Sequence, residues 1–175
     1  MTNLSVALPA IDVVDDAVSL APNQPTWTLR RQRDKVVAAT QSSHDAMFSR
    51  AVEGLTRTER LLVALHACRV SNAPNLAGQY REELAAENAD AAVADAVERG
   101  DIASLADARL RAMLGFTGKL IARPIEGDRA AIEALAALGL STPALVALSQ
   151  LIAFLSYQIR LVAGLKALAA AEASA

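Results

Sequence analysis

Residues 55–80 read LTRTERLLVALHACRVSNAPNLAGQY, and how this stretch starts, runs and stops decides the fold. Thr56 and Glu59 form an S/T-x-x-E pattern ahead of an apolar run. The threonine hydroxyl can accept from a backbone N–H while the glutamate carboxylate reaches back to the N-cap amide. The pattern predicts a helix from Arg57 to about Val70. Its residues Leu61, Leu62, Val63, Ala64, Leu65, Ala67 and Cys68 are apolar on more than one face, which suits a helix packed on several sides. Ser71-Asn72-Ala73-Pro74-Asn75 stops it, because proline pushes the residue before it out of the helical region. Asn75 is placed to cap a further helix through Tyr80 and Leu84.

Towards the N-terminus, a short helix near Ile11 to Leu20 ends at Ala21-Pro22-Asn23-Gln24-Pro25, where two prolines cannot propagate it. A longer helix over about Thr28 to Arg50 turns Val36, Val37, Thr40, Met47 and Phe48 inward and leaves Arg30, Arg31, Arg33, Lys35 and Asp45 largely to solvent. On the C-terminal side, a helix over about Ser104 to Ala122 contains Gly115 and Gly118. Each weakens it by roughly 1 kcal/mol against alanine, which points to close packing against a neighbour. Asp128 caps a helix to Leu138, and Gly139 ends it in left-handed geometry. Ser141 caps the last helix, with Pro143 in its first turn, and this helix runs through Leu151, Phe154, Leu155, Ile159 and Leu165. The alanine-rich tail from Ala169 is expected to fray.

The reading is therefore all-α, with about six to seven helices, in keeping with 53% apolar residues, only 3% aromatic residues and abundant Ala and Leu. A chain of 175 residues is long enough for one domain with a real core. Residues 1–54 form an N-terminal helical extension packed on a core at 55–168, and 169–175 a flexible tail. Seventeen basic and nineteen acidic residues, spread along the chain at net charge −2, exclude the footprint of a phosphate-binding surface, so no nucleic-acid partner is expected. The stretch MTNLSVALPAIDVVDD lacks the charge and apolar core of a signal peptide, and one cysteine cannot form an intrachain disulfide, so the expectation is cytoplasmic. Ala134 to Ile159 carries no charge, but Gly139-Leu140-Ser141-Thr142-Pro143 divides it, giving two buried helices rather than a membrane span.

Three pieces in order carry a family resemblance. They are Leu55 to Leu65; Gly115-Phe116-Thr117-Gly118-Lys119-Leu120 with Pro124; and Gly139-Leu140-Ser141 leading into Ala153 to Leu165. Over about residues 55–166 the chain resembles the carboxymuconolactone decarboxylase and alkylhydroperoxidase D superfamily, especially its peroxidase-related branch. The resemblance implies an alkylhydroperoxidase-D-like helical domain. In redox-active members the capped helix carries a glutamate, followed by a C-x-x-C-x-x-x-H motif. One thiolate attacks peroxide, the second resolves the sulfenic acid as a disulfide, and His and Glu relay protons. Ungapped placement puts Leu61 at the glutamate, Ala73 and Leu76 at the cysteines and Tyr80 at the histidine. All four chemical groups are replaced.

Nearby residues substitute poorly. Glu59 lies about 200° around the helix from position 61, and its cap role accounts for it. Cys68 has no partner thiol and no basic cluster in sequence to lower its pKa. His66 is likewise about 200° from Cys68, so no Cys–His pair forms within the helix. His44, on another helix, could approach. Both histidines read as satisfied or solvent-facing, and no metal is expected. Tyr80 keeps a hydroxyl but is a poor base near neutral pH. Arg160 matches an arginine recurrent in the family's last helix and suggests a buried ion pair or a carboxylate ligand, whereas Ser156 and Ile159 replace asparagines common there.

The resemblance further implies an oligomer, as a dimer, trimer or hexamer, and a cysteine-bearing relative as a partner. No cofactor is expected. The leading expectation is a non-peroxidatic subunit or binding protein. Two alternatives stand beside it: a cofactor-free catalyst of the lactone-decarboxylase type with a pocket near Tyr80 and Arg160, and a one-cysteine peroxidase using Cys68.

Overall fold

The computed structural model describes residues 12–174, so Ile11 and most of the N-terminal stretch read above for a signal peptide lie outside it. The described residues are all-helical, with α1 Val13–Val18, α2 Pro25–Arg31, α3 Asp34–Met47, α4 Arg57–Val70, α5 Pro74–Ala86, α6 Ala91–Arg99, α7 Ala108–Ala122, α8 Arg129–Ala137 and α9 Thr142–Ala173. Short 3-10 turns at Ile102–Ser104 and Pro124–Glu126 flank α7. The all-α expectation holds, and the described residues contain more helices than the six to seven read from sequence.

Helix α4 is the hub, packing on α5, α6, α7 and α9. Both halves of its capping box are formed: Glu59 N–H donates to Thr56 Oγ1 at 3.1 Å, and Thr56 N–H donates to Glu59 Oε2 at 2.7 Å. From Arg60 to Cys68 nine consecutive residues are buried, so α4 turns no face to water there. Just before it, Gly54 has φ +78, and a Cβ on it would lie 2.8 Å from the Ala144 Cβ at the start of α9. Only glycine permits that backbone and that approach together.

Several expectations change. The single helix over Thr28 to Arg50 is two, broken at Gln32 and Arg33, and Pro25 starts the first at a position where its missing N–H costs nothing. Arg30 and Arg31 are not solvent-facing. Arg30 Nη1 binds Asp12 at 2.8 Å and Asp15 at 2.6 Å, Arg31 pairs with Asp15, and both aspartates are 1% exposed at the side chain. Arg31 also lies over the Trp27 ring. Val36 is exposed, whereas Val37 and Thr40 turn inward.

Asn75 caps nothing. Ala73 is the N-cap of α5, and the Asn75 amide instead donates to Ala17 O at 2.9 Å, tying α5 to α1. Helix α6, unread in the sequence, has an Asp90 cap and a Gly100 stop. The helix expected from Ser104 starts at Ala108 under Asp107. Gly118 meets His66 as a close-packed glycine should, but a Cβ on Gly115 would touch nothing within 4 Å.

The C-terminal region divides where Gly139, at φ +84, and Ser141 indicate. Its two helices are not both buried: α8 buries only Leu135, while α9 alternates buried and exposed positions. By length and composition alone α9 could cross a membrane, but 44% of its most apolar window is buried inside the fold. Nor does α9 stop at Ala169. It continues to Ala173, and the Glu172 carboxylate accepts from Thr26 Oγ1 at 2.7 Å and Thr26 N–H at 3.1 Å, fastening its end to the start of α2.

Removing one member of the Asp–Arg group strands a buried charge. Asp15→Ala should therefore destabilise the protein by about 3 kcal/mol or more, read as a lower urea midpoint.

Candidate functional site

The four positions where the resemblance places redox groups lie along α4, the α4–α5 turn and α5, and they belong to the core or its edge. Leu61 on α4 and Leu76 and Tyr80 on α5 are completely buried, and Ala73 is half-buried at the turn between the helices. The Tyr80 hydroxyl donates to Gln158 Oε1 on α9 at 2.5 Å, closing a buried polar contact between α5 and α9. Burial, and then the neighbouring Cys68, push the phenol well above its ordinary range, with Glu83 adding to them and the bond to Gln158 acting the other way. A phenol so placed is a hydrogen-bond donor and not a base.

Cys68 is fully buried. Burial pushes its thiol up to about 12 from 9.0. At neutral pH that leaves roughly a thousandfold less thiolate than an unperturbed thiol carries. His66 is also buried rather than satisfied or solvent-facing. It looks towards Gly118 on α7, whose added Cβ would lie 3.3 Å from His66 Nε2, and its Nδ1 has no hydrogen-bond partner among the described residues. Burial first and Arg69 second lower its pKa to about 4. It is a neutral core imidazole.

His44 does not reach the thiol. Its ring packs among Phe48, Tyr80 and Phe154 at centroid distances of 4.9, 6.4 and 6.3 Å, with Nε2 3.9 Å from Glu83 Oε1. Glu83 is itself held by Arg57, which also donates to Glu87 at 2.5 Å. Arg160 is exposed and forms no ion pair among the described residues, so no other helix of this chain supplies the acid of the pair expected of it. It stands two residues, about 200° of helix, beyond Gln158, which faces Tyr80. Tyr80 and Arg160 therefore share no pocket.

Two openings adjoin this region. At the α4–α5 turn a cleft of about 120 Å³ is bordered by Ser71, Ala73, Leu76, Ile159, Val162 and Lys166. It has room for roughly four waters at their share of liquid volume. Lys166 Nζ donates to Asn75 Oδ1 at its rim at 3.0 Å. A wider crevice of about 600 Å³ at the start of α4 includes Arg50, Arg57, Glu59 and Arg109. Its guanidiniums are already engaged: Arg50 and Arg57 by Glu87, and Arg109 by Glu59 at 3.1 Å and the Gly54 carbonyl at 2.6 Å. Among the described residues no group of three or more His, Cys, Asp or Glu is placed to hold a metal ion.

Sequence reasoning missed Arg60. It is 1% exposed and donates to backbone only: to Met47 O, to Ser49 O at 2.8 Å and to Thr56 O at 3.3 Å. Burial and the adjacent Arg57 lower its pKa from 12.5. The cation sits against the carbonyl end of α3, where the helix dipole favours it. A charged residue inside the inward-facing run after the cap was the available signal. The His44–Glu83–Arg57 group had none, since its members lie on three helices.

No family model matches this sequence, and no curated protein matches it.

Two measurements test this interior. Tyr80→Phe leaves the Gln158 amide unanswered and should lower stability by about 1–3 kcal/mol in urea denaturation. His66, with a folded pKa near 4 against 6.5 unfolded, takes up its proton first in the unfolded chain. Its contribution is complete above pH 6.5 and declines as pH falls towards 4, by on the order of 3 kcal/mol. Urea midpoints of the native chain should drop between pH 6.5 and 5 more steeply than those of His66→Gln.

Proposed function

We propose that this chain is a non-peroxidatic subunit or binding protein on an alkylhydroperoxidase-D-like helical scaffold. The observation that carries the reading is the state of the four positions 61, 73, 76 and 80. Three are fully buried and one half-buried, and they hold hydrocarbon and one hydrogen-bonded phenol. Peroxide chemistry needs an accessible thiolate and a proton relay. The one thiol in the sequence, Cys68, is sealed and protonated. The partner this reading calls for is a relative that carries the dithiol, with this chain contributing structure or ligand contacts to the joint assembly. A cytoplasmic setting belongs to the same proposal.

Lactone-decarboxylase-type catalysis requires acids and bases facing one open pocket. Tyr80 is enclosed and Arg160 points elsewhere, so no observation favours it.

Consumption of tert-butyl hydroperoxide with dithiothreitol as reductant tests the reading. The native chain and Cys68→Ser should both match the buffer blank, and a thiol reagent should label Cys68 only after unfolding. Turnover by the native chain that Cys68→Ser abolishes would overturn it. Co-expression with a dithiol-bearing relative should give one co-migrating complex. Two separate peaks would count against the subunit role.

A further inference from the structure

We infer that α9 is a self-association surface, on which a second copy of this chain packs antiparallel across a two-fold axis at Tyr157. The described residues leave seven large hydrophobics exposed, and five of them, Leu29, Val36, Val146, Tyr157 and Leu168, lie on α9 or across the groove beside it. They are 38% to 53% exposed, too much for side chains whose place is the subunit's own core. The inference goes beyond the thiol-free reading and stands whether or not that reading survives.

The pattern along α9 selects the occupant. Val146, Tyr157 and Leu168 are spaced by eleven residues each way. Eleven residues turn a helix by about 1100°, so the three sit on one line with a drift of about 20° per step and about 16 Å between them. A line symmetric about its middle is what an isologous interface needs, since the same patch must meet itself reversed. With the axis at Tyr157, Val146 of each copy faces Leu168 of the other. Between them on the same face stand exposed Gln150, Ala153, Arg160 and Gly164, of which Ala153 and Gly164 are too small to hold two backbones apart. A Cβ on Gly164 would touch nothing within 4 Å in the subunit, so nothing in its own packing requires the glycine.

Shape and charge agree. Beside Leu168 a groove of about 300 Å³ is walled by Leu29 and Val36 on one side and Leu161 and Leu165 on the other. The antiparallel arrangement brings the other copy's Val146 end to it, twice per dimer. From Thr142 to Ala171 the only charges on α9 are Arg160 and Lys166. A parallel pair would stack each against its own copy. The antiparallel pair separates the two Arg160 by about 9 Å along the axis and the two Lys166 by about 27 Å.

Area sets the extent. A specific dimer needs about 800 Å² per partner. The line from Val146 to Leu168 is about 33 Å long and one helix width of about 10 Å across, on the order of 330 Å² of footprint. The α2–α3 wall with Leu29 and Val36 must therefore take part. A lipid bilayer is the competing occupant, but α9 cannot enter one without withdrawing its buried face from the core.

Sedimentation equilibrium of the full chain tests this. A dimer is expected. Val146→Lys and Leu168→Lys should each weaken it on the order of 100-fold, because each buries two unpaired charges per dimer. Val146→Lys combined with Leu168→Glu should recover most of the loss, since each lysine then meets a glutamate of the other copy. Both positions are exposed in the subunit, and unchanged circular dichroism confirms folded variants. A native chain that is monomeric at about 100 µM, far above the dissociation constant of a specific dimer, overturns the inference. So do a trimer without two-fold contacts, a double variant no better than the singles, and flotation of the native chain with phosphatidylcholine–phosphatidylserine vesicles in place of dimerisation.

Discussion

The structure depends on α4 being buried on every face along Arg60 to Cys68. Along that run a helix enclosed by α5, α6, α7 and α9 cannot satisfy its polar side chains with water; Arg60 is provided for by backbone carbonyls, whereas His66 Nδ1 has no partner among the described residues. Thr56 and Glu59 close the N-terminal end. Glu59 does more than cap, because its second oxygen takes Arg109, which in turn holds the Gly54 carbonyl. The start of α4, the Gly54 turn that abuts α9 and the first turn of α7 are thereby one fastened unit. Arg60 extends it to the end of α3 through the carbonyls of Met47 and Ser49.

This enclosure also sets the protonation states of the side chains on α4. The same desolvation acts with opposite sign on its two titratable side chains of interest, raising the Cys68 thiol and lowering the His66 imidazole. Both are driven to their neutral forms. A nucleophile and a base need the reverse, a thiolate near neutral pH and an imidazole with a pKa close to it. No rotation of one side chain brings the two together, because they occupy different faces of one helix, with Tyr80 beside Cys68 and Gly118 beside His66. The polar contact that remains, Tyr80 to Gln158, joins α5 to α9.

How much of this was legible depended on whether the cause was local. The Thr56–Glu59 box, the Gly139 stop and the Ser141 cap are decided within four residues, and the structure has all three. Asn75 obeyed the rule for a cap and was taken by the Ala17 carbonyl instead. Arg30 and Arg31 have the spacing of a solvent face, and only the fold of α1 against α2 reveals two buried aspartates opposite them. Helix α6 was readable, with Asp90, the Val93–Ala96–Val97 stripe and Gly100 in place, and was lost between two stronger signals. The apolar character of positions 61, 73 and 76 was plain in sequence; that they are sealed over was not, because the seal comes from helices far along the chain.

The length and sparse charge of α9 then follow from carrying two unlike faces. Its inner face, with Leu148, Leu151, Leu155 and Gln158, closes the core over α4 and receives the Tyr80 hydroxyl. A helix meant only for that task would put charges on its outer face, which costs little and keeps the protein apart from its neighbours. Instead the outer face carries Val146, Ala153, Tyr157, Gly164 and Leu168 with a single charge, Arg160, among them, and the end of the helix is fastened to α2, which carries Leu29 of the groove wall, through Glu172 and Thr26. Tyr157 itself is anchored by a 2.9 Å hydrogen bond between its hydroxyl and Thr40 on α3, which sets an exposed ring in one orientation. The ring is 43% exposed, so its ordering gives up side-chain entropy for partial burial only, and a second surface laid over it would complete that burial.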